Sequence, residues 1–412
     1  MKQLLLGLFS FTLLASCKTN VVNHAQIEFT RGQWFNGTSF EDRTVWVKDG
    51  VLRFFEGEVQ SDTIIDLGGK FVTPPFAEAH NHNLESDYKL EERIKSYLDN
   101  GVFYVKLLSS IKKRIDPLMH HYNKPTGIDI NMAHAPLTGS GGHPIALRKR
   151  FLEYGHFDGL FNTLKEIESH GYHIIDTKED LEYKWEEIVS FKPDFIKINL
   201  LYSEEYLTRK NDTAYFGKKG LDPSLVPDIV KKAHDHNLRV SAHVATAHDF
   251  HVAVAAGVDE IAHLPEIHNG KPIDLEDAKL AFQKGVVVVT TASLVTKNKE
   301  KPNYGALLGN VRSNLEILKN EGVTMAIGSD MYNDNSVDEF QLLHSLDLFT
   351  NLELLKMWCE NSATTTLPYR KVGFLKDGFE ASFLVLDQNP LEDIKNINQT
   401  ITLRVKQGVI LE

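Results

Sequence analysis

Cysteine is scarce. The chain has two, Cys17 and Cys359, so no framework of disulfides can hold it together. Stability must come from a buried core, and 412 residues with 42% hydrophobic content can build a large one. Long apolar runs are missing too. The run from Leu4 to Leu14 falls short of the ~20 residues a helix needs to cross a bilayer, and no other stretch is long enough. Excess positive charge is also absent. A formal charge of -11 leaves no basic stripe to displace phosphate counterions, which excludes a nucleic-acid partner.

The first residues combine Lys2, the apolar run and small residues Ala15 and Ser16 just before Cys17, the layout of a secretory signal. Leu14-Ala15-Ser16-Cys17 resembles the bacterial lipoprotein processing site. Residues 1–16 are therefore expected to be a signal peptide and 17–26 a tether carrying lipid on Cys17. Lys18 resembles an outer-membrane sorting signal. The expectation is an exported bacterial lipoprotein of the outer membrane, facing the periplasm or the surface, with the membrane as a partner through that lipid.

From Ile27 to Val72 short alternating strands are broken by turn signals such as Asp49-Gly50, with no helical period. The last segment, 369–412, has the same character, with Gln407-Gly408 in a second turn. Both ends are expected to pair into one small β-sandwich. Between them, over 73–368, apolar runs alternate with amphipathic stretches, as in repeated βα units. FYVKLL, INMAHA, FIKINL, RVSAHV, EIAHL, VVVVTT and TMAIGS, with the segment before His80, make eight strands. The fold expected is α/β, a (β/α)8 TIM barrel carrying the β-sandwich. Thr177 with Asp180 signals a helix start before Ser190, and Pro223 sits early in a helix running toward His236. Residues 141–172 exceed one connection and read either as a lid or substrate loop or as extra helix on the barrel wall.

His80-Asn81-His82 follows the first barrel strand, and its period of two puts both imidazoles on one side of an extended backbone. His234-Asp235-His236 falls on a helix, where that spacing diverges, and reads as solvated surface. Lys197, His243, His263 and Asp330 also stand at strand ends, which in such a barrel converge on one mouth. Any one of them alone reads as a core histidine or a helix-capping aspartate; agreement across five strands points to a site.

The segments VTPPFAEAHNH, SGGHP, PDFIKINL, SAHVATAHDFHVAVAAGVDEIAHL, AIGSD and VGFLKDGFEASFLVLDQNPLEDI resemble the amidohydrolase superfamily, in particular its imidazolonepropionase and prolidase-like branch. The resemblance covers nearly all of the chain after Cys17. It implies two divalent metal ions, one held by His80, His82 and Asp330, the other by His243 and His263, with Lys197 between. An ammonium has no lone pair for a metal, so Lys197 would have to be neutral and carboxylated; the alternative is an ordinary lysine beside one metal. Imidazole and carboxylate donors suit zinc. Two such ions would bridge a water and lower its pKa toward ~7, with Asp330 as general acid/base. His143 lines up with a substrate-contacting histidine. Tyr202 is a candidate for the oxyanion or a substrate carboxylate, and His248, His251 and His268 read as structural. Pro144 stands where the branch has glycine, and Ala381-Ser382-Phe383 where the family has alanine then aspartate.

The resemblance implies hydrolysis of a C-N amide bond in a small molecule or short peptide: a dipeptide, an N-acyl amino acid or a cyclic amide. Lactone or ester hydrolysis and mononuclear deamination remain open on the same barrel, as does an inactive, surface-anchored binding lipoprotein. Barrels of this family often form homo-oligomers.

Overall fold

The computed structural model describes residues 23–265 and 271–411. The signal and lipid-site residues, and His268, lie outside the described residues. Within them, no helix is long and apolar enough to cross a membrane.

Eight parallel strands form the barrel: β1 (Phe76–Asn81), β2 (Val102–Leu107), β3 (Asp129–Met132), β4 (Phe195–Leu200), β5 (Arg239–Val244), β6 (Glu260–Ile261), β7 (Val287–Val289) and β8 (Met325–Ala326). Each coincides with one of the eight predicted apolar runs. Two seams close the ring outside regular pairing. At β3/β4, Asp194 N–H donates to Met132 O at 2.8 Å, and the Asp194 carboxylate accepts from Met132 N–H at 2.8 Å. At β8/β1, Ala79 N–H donates to Ile327 O at 2.9 Å and Asp330 N–H to His80 O at 2.9 Å. A side chain at Gly328 would sit 2.6 Å from His80 N, so this seam requires glycine.

The predicted helix signals hold. Thr177 and Asp180 form a reciprocal capping box at the start of Lys178–Ser190, and Pro223 opens the turn before Val226–Asp235. His234 and His236 lie exposed at the end of that second helix.

Both chain ends join in one eight-stranded sheet. Asn23–Phe35 has a register shift between Phe29 and Gly32, where Arg31 takes φ 51°. Its first half pairs with Val59–Asp66 and its second with Phe71–Thr73, so a bulge divides one strand between two partners. Phe383, from the far end of the chain, packs edge-on against Phe29 and Trp34 at 5.0 and 5.1 Å. Asp49-Gly50 and Gln407-Gly408 have positive φ at both residues, the tight hairpin turn expected of an X-Gly pair.

Residues 141–172 carry the helix Ile145–Glu153 and a core of their own, in which Ile145, Phe157, Phe161, Ile167 and Tyr172 pack on Ile111. This excursion is bracketed by a short parallel pair, Leu137–Thr138 with His173–Ile174. It carries extra helix and also lends His143, Pro144, Leu147 and Arg148 to the wall of the central cavity.

Candidate metal centre at the barrel mouth

His80 and His82 leave the end of β1 toward the barrel axis. Asn81 between them is hydrogen-bonded instead to Glu78, Ser329 and the Asp334 carbonyl. His80 Nδ1–H donates to Ala262 O at 2.6 Å, leaving Nε2 as the free lone pair. His82 Nδ1 is held by the Glu85 carboxylate at 2.6 Å. Both Nε2 atoms meet Asp330 Oδ1 at 3.2 Å and lie 3.3 Å apart. A carboxylate or carbonyl behind each imidazole is the arrangement that orients metal-ligating histidines. The three donors form a candidate metal-binding cluster.

Beside them, His243 Nδ1 and His263 Nε2 face each other at 2.6 Å, and His263 Nδ1–H donates to Leu264 O at 2.9 Å. Burial holds His243 well below its ordinary value and His263 down at about 3, helped by neighbouring positive groups. Both are therefore neutral imidazoles, the form that binds metals. Burial would raise the Asp330 carboxyl, but His80 and His82 outweigh it and hold it well below the usual carboxylate range. For His82, burial is overcome by Glu85 and Asp330, and the ring rises to about 9. Any ion would have to displace that proton.

Lys197 lies at 5% exposure within β4, and its Nζ has no hydrogen-bond partner among the described residues. Burial lowers it to about 7 despite Asp330 and Glu260. An orphaned, largely desolvated amine among imidazoles is unfavourable as an ammonium, and neutrality is the condition for its carboxylation. The His80, His82 and Asp330 donors thus fit a divalent ion.

A cavity of about 270 Å³ opens onto His80, His82, Lys197, His243 and Asp330. His143 enters from the 141–172 excursion and stacks on His243 at 4.8 Å, with burial lowering it to about 4. The glycines of SGGHP serve the backbone rather than a ligand: a side chain at Gly142 would meet Thr138 Oγ1 at 2.4 Å and Lys219 O at 2.8 Å. Tyr202 does not line this cavity. Its N–H donates to Asp249 at 3.0 Å, and the Arg209 guanidinium covers its ring at 3.6 Å. Of the histidines read as structural, His248 pairs with Ser203 and His251 with Asp277.

Three contributors escaped the sequence reading. Glu85 follows His82 by three residues and could have been sought as its support. Tyr332, two residues past Asp330, stacks on His82 at 5.2 Å. Arg148 sits in a basic helical run that reads as solvated surface, and only the fold turns it inward. Backbone strain gathers here as well. His134, Tyr202, Thr291 and Asp330, all past strand ends, have positive φ, each at a cost of about 1–3 kcal/mol.

Residues 213–411 match the model of the amidohydrolase family, a span that includes His243, His263 and Asp330. Ochratoxinase of Aspergillus niger is 30% identical over 185 residues, which cover 42% of this chain and 37% of that protein. The chain thus matches little more than a third of the length of its curated relatives. In three dimensions it superposes on the crystal structure of A. niger ochratoxinase with TM-score 0.73 at 19% identity, covering 94% of this chain and 96% of the other. A Xaa-Pro dipeptidase with bound methionine superposes with TM-score 0.72 at 17% identity, covering 94% and 99%. With a family model matching residues 213–411, a shared barrel-and-sheet fold and histidines and an aspartate converging on one mouth, the chain is similar to the amidohydrolase superfamily.

Proposed function

We propose that this protein is a metal-dependent hydrolase of C-N amide bonds, acting on a dipeptide, an N-acyl amino acid or a cyclic amide, and that the lipid on Cys17 holds it to a bacterial outer membrane. The observation that carries the reaction is the buried, unpartnered Lys197 amine beside two sets of converging donors. In this reading His80, His82 and Asp330 would hold one ion and His243 and His263 the other, and Lys197, once carboxylated, would supply an anionic oxygen donor to them. Two divalent ions, zinc by donor type, would supply Lewis acidity toward the scissile carbonyl and activate a water.

The chain's own groups do the rest. Asp330, anionic at neutral pH, takes a proton at its carboxylate and returns it to the leaving amine. Glu85 and the Ala262 carbonyl keep the β1 imidazoles aimed, and His143, neutral, is placed to donate to a substrate oxygen from the 141–172 excursion. The similarity to ochratoxinase and to a Xaa-Pro dipeptidase supports an amide rather than a lactone or a nucleobase amine.

The test is metal content of a soluble form beginning at Lys18, prepared with bicarbonate and without chelator, beside its Lys197→Ala variant. About two ions per chain, falling in the variant, is the expected result. One ion, unchanged in the variant, makes Lys197 an ordinary lysine and turns the search to mononuclear deamination. No ion, and no turnover of dipeptides, lactones or hydantoins, would favour the binding lipoprotein. The full chain should partition with membranes where this form stays soluble; a full chain found only in the soluble fraction would overturn the anchor.

A further inference from the structure

Arg148 is 4% exposed, stands on the helix Ile145–Glu153, and lines the same cavity as the metal-site histidines. A buried guanidinium is ordinarily matched by a carboxylate, because its charge costs free energy when taken out of water unpaired. Arg148 has no such match. Its hydrogen bonds go to neutral groups, Nη2–H to the Ser109 hydroxyl and Nε–H to the Gly171 carbonyl at a long 3.4 Å, and among the described residues no carboxylate forms an ion pair with it. A structural tie alone does not require a charge, since a neutral side chain could serve both acceptors.

Lys219, also buried but outside this cavity, donates only to the Arg209 and Lys210 carbonyls, whereas two other buried cations contrast with Arg148. Lys106 and Lys406 are each closed by a carboxylate within 2.8 Å. The cavity supplies the remaining context: Leu108, Leu147 and Leu294 furnish aliphatic wall beside the arginine. A guanidinium presents a planar fork of donors that fits a carboxylate with two parallel hydrogen bonds.

We infer that Arg148 is a specificity-determining residue that binds a free carboxylate of the substrate, so that the favoured substrates are amides carrying a carboxylate beside an aliphatic side chain, such as N-acyl amino acids and the C-terminal residue of dipeptides. The inference rests on the amide-hydrolase reading for the reaction but on the cavity alone for the binding.

The experiment pairs N-acetyl-L-leucine with N-acetyl-L-leucinamide, which differ only in that charge, and measures binding by calorimetry and turnover by leucine or leucinamide release. The proteins are the metal-loaded wild type, Arg148→Ala and Arg148→Gln. Wild type should bind the acid about tenfold or more tightly than the amide, the range of a charge-assisted pair. Both variants should lose that preference while metal content and amide binding stay unchanged. If the preference and its loss are seen without turnover, the carboxylate site stands and the hydrolase reading falls. If wild type cleaves both compounds but does not discriminate, or does not detectably bind the acid, or if a variant weakens acid and amide alike, Arg148 is a structural tie and the inference is overturned. Should Arg148→Ala fail to fold, Arg148→Gln decides, because discrimination by wild type alone does not separate Arg148 from Lys297 on the same cavity wall.

Discussion

Two regions of the barrel bury charge, and they do so in opposite ways. Toward the bottom, Glu260 on β6 accepts from Lys106 on β2 at 2.8 and 2.9 Å, from Ser241 at 2.8 Å and from Thr365 at 2.5 Å. β2 and β6 are not neighbours, so this pair crosses the barrel interior. Where the terminal sheet meets β3, Asp129 is closed by Lys406 and Arg370, both at 2.7 Å, and by Gln407 at 3.2 Å. At the mouth, among the described residues, Lys197 has no partner, two imidazole nitrogens confront each other, and Arg148 lacks a carboxylate. Satisfied buried charge is architecture, because every group removed from water has recovered its interactions within the chain. Unsatisfied buried charge persists only where something from outside completes it.

Mutations that keep these regions distinct are the way to break that comparison. The largest effect is expected from Asp330→Asn, which preserves shape but removes the proposed proton carrier. Turnover of any amide substrate should fall by about a thousandfold or more while the thermal midpoint moves little. Comparable turnover in the variant would remove Asp330 from the chemistry.

Lys406→Met should show the reverse pattern. It removes one of two cations from the Asp129 carboxylate, which is 0% exposed and keeps Arg370 and Gln407, at a cost of about 1–3 kcal/mol of stability, read from denaturant unfolding, with metal content unchanged. A loss of metal at unchanged stability would show that the lower network tunes the mouth.

The smallest change sharpens the mouth itself. Glu85→Gln weakens the hydrogen bond behind His82, and metal affinity measured by competition with a chelator should drop about 10–100-fold. Unchanged affinity would mean that Glu85 does not support a ligand.

Much of this organisation was legible in the residues. The eight apolar runs emerged as the eight barrel strands because buried parallel strands need continuous hydrophobic sequence, and both X-Gly pairs became the hairpin turns that their φ demands. His80, His82, His243, His263 and Asp330 were each visible as a polar residue at or just past the end of such a run, and Lys197 as one within a run. Tyr202 shows the limit of that logic. It follows a strand end as they do, yet it is absent from the residues that line the cavity, and the Arg209 guanidinium covers its ring.

The sequence by itself determined the periodicities, and through them the barrel, the paired chain ends and the donors carried on strands, since a strand's side-chain direction alternates by local geometry alone. Only the tertiary structure decided what stands behind and above those donors. The Ala262 carbonyl behind His80, the 141–172 excursion bearing His143, and Arg148 turned from a basic helical run into the cavity all depend on contacts between segments far apart in the chain. Long-range packing sets such contacts, and no local pattern encodes them.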